Sequence, residues 1–470
     1  MKKLASVLLS TLMAASLVAC GTSTSSGTPA EAPAEEKPAE ATAEAAAPAE
    51  AAPAGDEGKV LNIYVWNDEF KERVENLYPG YNKTGDLTGT IGDVTVNFIR
   101  NENTGSNYQD KLDAALEAQE SAAADDKVDI FLVEADYALK YTGADPAVAL
   151  DVKGDLGLTD ADLANQFQYT KDVVTSNGVL RGVSWQGCPG VLIYNREIAK
   201  EVFGSDDPET VQAKVKDWET FKATAAELGA AGYKITSTTN DAYRVYSNNV
   251  TTPWVVDGKL NIDDNLMKWV EDSKALVDAG YTTTADLWSD DWSKGFYPEG
   301  GVFCYFGPAW LINFSMKSED AESIAAKGGW GAVEGPQGFN WGGTWVCGAV
   351  GTDNPTLVAD IMKTLTCDKD TMLQIVEKYQ DFVNNKPAME EAAQNEKYAF
   401  DVLGGQNPLA MFVAGADKIS MATISDYDQG CNEEFQKAMK DYFDGNSSLD
   451  DALAAFKAAV TTLYPAVTAE

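Results

Sequence analysis

"LNIYVWNDEFKERVENLY", the stretch Leu61–Tyr78, joins a strand pattern directly to a helix pattern. Its first six residues are rich in Ile, Tyr and Val, which favour strands. After them Phe70, Val74 and Leu77 recur at helical spacing and would lie on one face of a helix. Asn67 is a residue type that often caps a helix N-terminus, and we predict that role for it. The stretch therefore predicts a β-α unit.

The same alternation continues along the chain. "VTVNFI" (94–99) alternates like a half-buried strand, and "SNYQDKLDAALEAQ" (106–119) repeats the helical period with Ser106 as its predicted cap. "VDIFLV" (128–133) follows as a short apolar strand. A β-α-β-α-β order predicts an α/β fold with a mostly parallel sheet.

Length and charge narrow the class of protein. Beyond Gly58 there are about 410 residues, more than one hydrophobic core usually serves, so we expect two domains. The chain has 36 basic and 73 acidic side chains, a net charge of −37, and loss of two lysines with a signal peptide would leave −39. So acidic a chain has no electrostatic footprint for nucleic acid and is repelled by anionic lipid headgroups. It has no histidine, which excludes Ser-His-Asp and Cys-His catalysis.

The N-terminal segment has the pattern of an export signal followed by a spacer. Two lysines precede a short apolar run, and "LVAC" (17–20) resembles the lipobox of bacterial lipoproteins. That resemblance implies a signal peptide over 1–19 and acyl chains, such as palmitate, on Cys20. An ordinary secretory signal with an incidental cysteine is the alternative. Residues 20–57 combine the lipidated cysteine with an Ala/Pro/Glu tether that is expected to be disordered.

The remaining cysteines are odd in number and widely spaced, and they contain no CxxC pair. They are Cys188, Cys304, Cys347, Cys367 and Cys431. An exported protein could form a disulfide among them, but the spacing does not indicate a pairing. We favour buried free thiols over a fixed disulfide framework.

Five segments, taken in order, resemble a known family. They are "VDIFLVEADY", "GVLIYNREIAKEVFG", "DWETFKATAAELGAAGYK", "GGVFCYFGPAWLINF" and "FQKAMKDYFDGNSSLDDALAAFKAAV". Their order and spacing are similar to those of the extracellular solute-binding proteins of ABC importers, of the carbohydrate-binding type that includes maltose-binding protein. No single motif among them is specific, and the joint order carries the resemblance.

The resemblance implies a two-lobed periplasmic-binding-protein-like α/β fold, with a hinge of several crossing strands and a ligand cleft between the lobes. It places an N-lobe at 58–184, completed by 340–360, and a C-lobe at 186–336. The helices of 361–470 are expected to pack mainly on the C-lobe. It further implies a monomer without catalysis or cofactor, anchored on the outer face of the cell membrane. Such a protein captures a carbohydrate, expected to be an oligosaccharide, and delivers it to an ABC permease.

A sugar offers flat C–H patches, which suit aromatic rings, and hydroxyl groups, which suit planar polar side chains. The sequence places both types where this fold faces its cleft, beginning at the carboxyl ends of the strands. The candidate ligand-binding residues are Trp66, Asn67, Glu69, Glu134, Asp136, Trp185, Gln186, Trp288, Asp290, Trp310 and Trp345. Tyr243 and Arg244 are further candidates, and no metal site is expected. A tryptophan can also pack in a core, and an acidic surface carries many solvated carboxylates.

Three other functions stay open, one of which is a surface adhesin or chemosensory binding protein without a transport role. "WSDDW" (288–292) combines aromatic rings with carboxylates, which also suits a polyamine or another cationic solute. A cell-surface glycoside hydrolase that uses a pair of carboxylates is the alternative from a different class.

Overall fold

The computed structural model describes residues 58–469. The predicted signal peptide, the lipidation of Cys20 and the predicted tether lie outside the described residues. Within the described part, none of the helices is both long and apolar enough to cross a membrane.

The strands of residues 58–469 form two main sheets and two short hairpins. Their bounds are β1 Val60–Val65, β2 Tyr81–Lys83, β3 Thr88–Ile91, β4 Val94–Arg100, β5 Ile130–Glu134, β6 Thr175–Ser176, β7 Val179–Leu180, β8 Val183–Ser184, β9 Pro189–Asn195, β10 Lys234–Thr236, β11 Val255–Val256, β12 Lys259–Leu260, β13 Val302–Gly307, β14 Trp330–Val333, β15 Phe339–Asn340 and β16 Thr344–Gly348. The first sheet has the order β2-β3-β4-β1-β5-β16-β8, and the second has the order β10-β13-β9-β14, with β15 paired to β9. The hairpins are β6/β7 and β11/β12.

Helices surround both sheets. The α-helices are α1 Glu69–Leu77, α2 Asn107–Ala118, α3 Ala138–Thr142, α4 Asp160–Leu163, α5 Gln168–Asp172, α6 Arg196–Phe203, α7 Pro208–Val215, α8 Trp218–Ala230, α9 Tyr243–Ser247, α10 Asp264–Asp278, α11 Asp290–Ser293, α12 Pro355–Thr366, α13 Lys369–Tyr379, α14 Lys386–Ala393, α15 Leu409–Ala416, α16 Asp428–Phe443 and α17 Leu449–Leu463. Single 3-10 turns lie at Ala124–Asp126, Ala135–Tyr137, Thr239–Ala242, Lys294–Phe296, Pro298–Gly300, Ala325–Lys327, Glu396–Tyr398 and Asp401–Leu403, and a π-helical turn lies at Leu311–Ser315.

The centre of the first sheet is parallel, which confirms the α/β prediction. β1 pairs in parallel with β4 on one side and with β5 on the other. Leu61, Ile63 and Val65 of β1 are fully buried, as expected for a central strand covered by helices. β16 is antiparallel to both β5 and β8, and it reaches this sheet only after the chain has built the second one.

Three segments carry the described chain between the two sheets. The first joins β8 to β9, and the second joins β15 to β16. The third, between α13 and α14, runs beside the first, because Val383 bridges to Gln186 and the Asn384 N–H donates to the Trp185 carbonyl at 2.7 Å. These crossings form the hinge of a two-lobed fold, with one sheet in each lobe.

The C-terminal helices divide between the lobes. α12 packs against β8, β16 and α1, and α13 contacts α1, whereas α15 packs on β9 and α16 on α10. The expectation that 361–470 packs mainly on the C-lobe therefore does not describe α12 and α13, whose apolar faces cover the first sheet. We propose that these two helices belong to the N-lobe, and the other lobe limits remain predictions.

Two predicted helix caps differ from the structure. Ser106 precedes α2 but has a left-handed backbone with φ 66°, and its side chain makes no cap hydrogen bond. An N-cap side chain reaches the first turn from an extended backbone, which explains the difference. Asp68 holds the cap position of α1, and Asn67, one residue earlier, still accepts from the Glu69 N–H through Oδ1 at 3.0 Å.

The five cysteines within the described residues are buried and form no disulfide with one another. Cys188, for example, has a left-handed backbone with φ 52° at the first crossing, and burial raises the pKa of its thiol well above the ordinary value. The preference for buried free thiols is confirmed.

Candidate functional site

A cavity of about 930 Å³ lies between the two lobes. Trp66, Asn67 and Glu69 line it from the carboxyl end of β1 and the start of α1, while Trp310 and Phe314 line it from the segment after β13. A volume of this size suits a small-molecule ligand. The other charged or aromatic residues of its wall are Asp68, Glu72, Arg73, Arg100, Glu102, Lys378, Tyr379, Asp381 and Asp401.

Trp66 is held rigidly at the end of β1. Its ring packs edge-on against Tyr108, with centroids 5.2 Å apart, and against Tyr137 at 6.4 Å. The Tyr108 hydroxyl donates to the carbonyl of Leu132 in β5 at 2.6 Å. Because these contacts fix the ring before any ligand arrives, binding costs little side-chain entropy here.

A buried polar network lies under the same wall. Gln186 Nε2 donates to Glu69 Oε1 at 2.7 Å and to Asp381 Oδ2 at 3.0 Å. The Arg73 guanidinium lies 3.3 Å from Glu69 Oε1 and 3.6 Å from Asp381 Oδ2, and it stacks 3.7 Å from the centroid of Tyr379. Burial raises the pKa of Glu69 to about 7, although Arg73 opposes the shift. Burial likewise raises the pKa of Asp381. Since Gln186 and Asp381 belong to two hinge crossings, the cavity wall is tied to the hinge.

Three tryptophans pack against one another on the facing side, and Trp310 among them lines the cavity. Trp288 lies 6.0 Å from Trp310 and 5.8 Å from Trp341 between ring centroids. Trp310 Nε1 donates to the Trp341 carbonyl at 3.2 Å. Trp288 is 57% exposed and has φ 69°, a backbone conformation that costs a bulky residue free energy. Exposed aromatic surface at a strained residue points to a role in binding.

Phe314 extends this aromatic surface. It is 77% exposed and lies in the π-helical turn Leu311–Ser315, which follows Trp310. Such turns occur often at functional sites because they re-aim side chains. Asn313 of the same turn donates through Nδ2 to the Gln380 carbonyl at 2.6 Å, so the turn also contacts the third crossing.

The acidic residues at the end of β5 contact the opposite lobe. Asp136, in the turn after β5, accepts from both terminal nitrogens of Arg244 in α9, with Arg244 NH1 2.6 Å from Oδ1. Glu134 Oε2 accepts from the Asp136 N–H at 2.7 Å. Burial, reinforced by the neighbouring charge of Asp136, raises the pKa of Glu134 to about 8. A bidentate ion pair therefore bridges the two lobes beside a carboxyl group whose neutral form is favoured by burial.

The carboxylates of the site are paired with arginine rather than grouped around a metal. In the part of the chain that the structure describes, no group of three or more His, Cys, Asp or Glu side chains is arranged to hold a metal ion.

The sequence pattern of the bacterial extracellular solute-binding protein family matches residues 81–404, more than half of the chain. The chain belongs to this family. No curated protein sequence matches the solute-binding protein significantly.

Solved structures share the fold of this solute-binding protein. The ABC transporter associated binding protein from B. animalis subsp. lactis Bl-04, in complex with beta-1,6-galactobiose, is 18% identical, with a TM-score of 0.64 over 88% of this chain and 100% of that chain. The GacH receptor of Streptomyces glaucescens, described unliganded and with acarbose, is 16% identical, with a TM-score of 0.63 over 87% and 100% of the two chains. The galacto-N-biose/lacto-N-biose I-binding protein from Bifidobacterium longum, in complex with lacto-N-biose, is 14% identical, with a TM-score of 0.65 over 88% and 100%. At these identities the likeness shows the two-lobed fold alone.

Part of the predicted site comes together in the solute-binding protein. Trp66, Asn67, Glu69 and Trp310 line the cavity, and Gln186 bonds to Glu69 behind its wall. Three more predicted residues lie beside it: Trp288 packs on Trp310, and Glu134 and Asp136 lie at the bridge between the lobes.

Other predicted residues lie elsewhere. Trp185 is fully buried and stacks on Phe70, with centroids 5.4 Å apart. Trp345 is 2% exposed, and its Nε1 donates to the Thr170 carbonyl at 2.7 Å. Both are core residues because their rings point into the first lobe, so we drop them from the site. Asp290 starts the short helix α11, where it is exposed and outside the cavity wall.

The cavity also contains residues that the sequence did not indicate. Arg73 lies on the helical face next to Phe70 and Val74, and a buried arginine gives no sequence signal of its own. Tyr379 and Asp381 lie where α13 ends. The helix stops at Tyr379, and Gln380 has a left-handed backbone with φ 51° that turns the chain toward the cavity wall. A glutamine at that position gives no recognisable stop signal.

Proposed function

We propose that this solute-binding protein captures a carbohydrate between its lobes and delivers it to an ABC permease. The observation that carries the proposal is the interlobe cavity, which Trp66 lines from one lobe and Trp310 from the other. Aromatic rings on both walls suit the C–H faces of a sugar. The polar side chains of Asn67 and Glu69, which line the same cavity, suit its hydroxyl groups.

Closure of the lobes supplies the binding mechanism. A ligand that contacts both walls stabilises the closed form, because it binds that conformer better than the open one. The hinge consists of three crossings, which lets the lobes rotate as rigid bodies. The site binds and releases its ligand without chemical change.

The delivery step follows from the same proposal. The closed, loaded form docks as a monomer on the permease at the outer face of the cell membrane. Acyl chains on Cys20 would hold it there, since each buried methylene contributes about 0.8 kcal/mol, and residues 20–57 would serve as the tether. Release of the bound protein by a lipase, and its loss from the membrane in Cys20→Ser, would test the anchor.

A thermal-shift screen against mono- and oligosaccharides tests the ligand class. A ligand that binds only the native state raises the transition temperature, by an amount equivalent to about 2.7 kcal/mol at 100 times its Kd. Calorimetry then measures each hit on the wild type and on Trp310→Ala. If no sugar raises the transition, the proposal is wrong.

The excess of carboxylates around the cavity favours a second candidate, a polyamine or other cationic solute. Calorimetry with spermidine separates the two, because tight spermidine binding without any response to sugars would reverse the assignment. Release of reducing sugar at a catalytic rate would instead indicate the glycoside hydrolase.

A further inference from the structure

A second, smaller pocket of about 80 Å³ lies on the other side of the bridge between the lobes. Asp136 lines it from the first lobe, Asn340 from the end of β15, Arg244 from α9 and Asp428 from the start of α16. The space holds a few water molecules or one small polar group of a ligand. We call it the polar pocket.

Asn340 provides an unused hydrogen-bond acceptor in the polar pocket. The residue is 5% exposed, and its Oδ1 atom has no hydrogen-bond partner. Its other polar atoms are engaged, because its N–H donates to Asn248 Oδ1 at 2.7 Å and its Nδ2 donates to the Gly342 carbonyl at 3.2 Å. A buried acceptor without a partner costs free energy, and a ligand that donates a hydrogen bond would recover it.

The surroundings of the polar pocket lack positive charge. Its cation, Arg244, is already bound to Asp136. Three more carboxyl groups lie near that pair, those of Glu134, Asp428 and Glu433. Burial raises the pKa of each of them, to about 6 for Asp428. Burial therefore favours the neutral form of these carboxyl groups, and a group that brings a positive charge would stabilise their ionised form, whereas an anionic group would be repelled.

The polar pocket lies directly behind the aromatic wall of the cavity. A Cβ atom at Gly342, which lines the polar pocket, would lie 3.5 Å from Trp310 Nε1 and 3.6 Å from Glu134 Oε1. Gly342 has φ 75°, which favours glycine. Gly342 therefore places the polar pocket next to Trp310, which lines the large cavity.

The wall of the large cavity, like that of the polar pocket, carries more acidic than basic side chains. Its acidic wall residues outnumber its basic ones: Asp68, Glu69, Glu72, Glu102, Asp381 and Asp401 against Arg73, Arg100 and Lys378. A neutral sugar would leave this negative field uncompensated, whereas a cationic one would be steered into it.

We propose that the captured carbohydrate is an amino sugar, whose ammonium group lies in the polar pocket and donates to Asn340 Oδ1 and the Asp428 carboxylate while its ring stacks on Trp310. This proposal rests on the proposed function, since it names the class of sugar. A hydroxyl group could satisfy Asn340, but it would bring no charge to the carboxyl groups.

Three β-1,4-linked trimers that share one backbone test the proposal: those of glucosamine, N-acetylglucosamine and glucose. They carry an ammonium, an acetamide or a hydroxyl group at C2, and calorimetry at pH 6 measures each on the full mature chain. We expect the glucosamine trimer to bind at least 10-fold more tightly than the other two. Maltotriose and β-1,6-galactobiose complete the neutral set.

Variants locate the ammonium group. Asn340→Leu should abolish the 10-fold preference and weaken the binding of the neutral trimers by a smaller factor, because a hydroxyl group can also donate to Asn340 Oδ1. Asp428→Asn should reduce the preference as well, and it provides the same test if Asn340→Leu does not fold. Asp441→Asn, an equal change of charge at an exposed site of the same helix, is the matched control and should change nothing.

The failures are distinguishable. If any neutral sugar binds as tightly as the glucosamine trimer, or if the preference survives both pocket variants, the amino-sugar proposal is wrong while the proposed function stands. If no sugar of either kind binds, the proposed function itself fails, and this proposal fails with it.

Discussion

The ion pair between Asp136 and Arg244 should hold the lobes together in the absence of ligand. The two side chains come from opposite lobes, and they are only 27% and 19% exposed. Asp136→Asn keeps the size of the side chain but removes the charge and one of the two acceptor oxygens. We expect this variant to open the ligand-free protein.

The size of the effect follows from the burial of the pair. Loss of one partner from a fully buried pair costs about 3–5 kcal/mol, and an exposed pair contributes about 0.2–1 kcal/mol. For a partly buried, bidentate pair we expect about 2 kcal/mol. Because ligand must then supply this free energy to close the lobes, its affinity should fall about 30-fold.

Small-angle scattering and calorimetry check this expectation together. The radius of gyration of ligand-free Asp136→Asn should exceed that of the wild type, and saturating ligand should restore it. Asp113→Asn is the matched control, because Asp113 pairs with Lys140 at 2.7 Å within the first lobe. If the affinity falls while the radius of gyration of the ligand-free variant is unchanged, Asp136 contacts the ligand directly. The ion pair would then not hold the lobes together.

Three further predictions concern single side chains. Trp310→Ala should weaken ligand binding by about 2 kcal/mol, which is typical of aromatic residues at the centre of an interface. Denaturant melts of the unliganded protein should show a smaller loss of stability, because only part of the ring is buried. A loss of stability larger than the loss of binding free energy would make Trp310 a core residue. Trp288→Gly should be more stable than Trp288→Ala by about 1 kcal/mol, because glycine tolerates the left-handed backbone. Equal stability of the two variants in denaturant melts would mean that the backbone at residue 288 is not strained. Burial raises the pKa of Glu134 from 4.5 to about 8. Between these pH values the folded state holds a proton on Glu134 that the unfolded state has lost. The free energy of unfolding should therefore fall as pH rises through that range, by at most about 1.4 kcal/mol per pH unit. Urea melts of Glu134→Gln should show a smaller fall in the free energy of unfolding over the same pH range. The same pH dependence in the variant and the wild type would contradict this role of Glu134.

The local periodicities of the chain were sufficient to predict the fold class. Leu61, Ile63 and Val65 alternate, and Phe70 and Val74 follow at helical spacing, so strand and helix are defined within a few residues of each other. The parallel order of β1, β4 and β5 follows from that alternation, because parallel strands need a crossover between them. The order of the five segments that resemble the family, rather than any local pattern, indicated the second lobe.

The polar contacts of the site could not be predicted in the same way. Glu69 is 117 residues from Gln186, and Gln186 is 195 residues from Asp381. Such contacts depend on how the crossings meet, which no local pattern encodes. The adjacent Trp185 shows the same limit on a smaller scale. Successive side chains of an extended segment point to opposite sides, and composition does not say that Trp185 faces Phe70 while Gln186 faces Glu69.

The position of Glu69 connects ligand contact to hinge motion. One of its oxygens already accepts from Gln186 on the first crossing, and Gln186 also donates to Asp381 on the third. We expect rotation about the hinge to change these bonds where it shifts either crossing relative to α1. A ligand hydroxyl that donates to Glu69 Oε1 would compete with Gln186 and Arg73 for that oxygen, so we expect binding at the wall to be coupled to the angle between the lobes. Differential affinity for one conformer then arises from the wall itself, in addition to the contacts that the ligand makes with the opposite lobe.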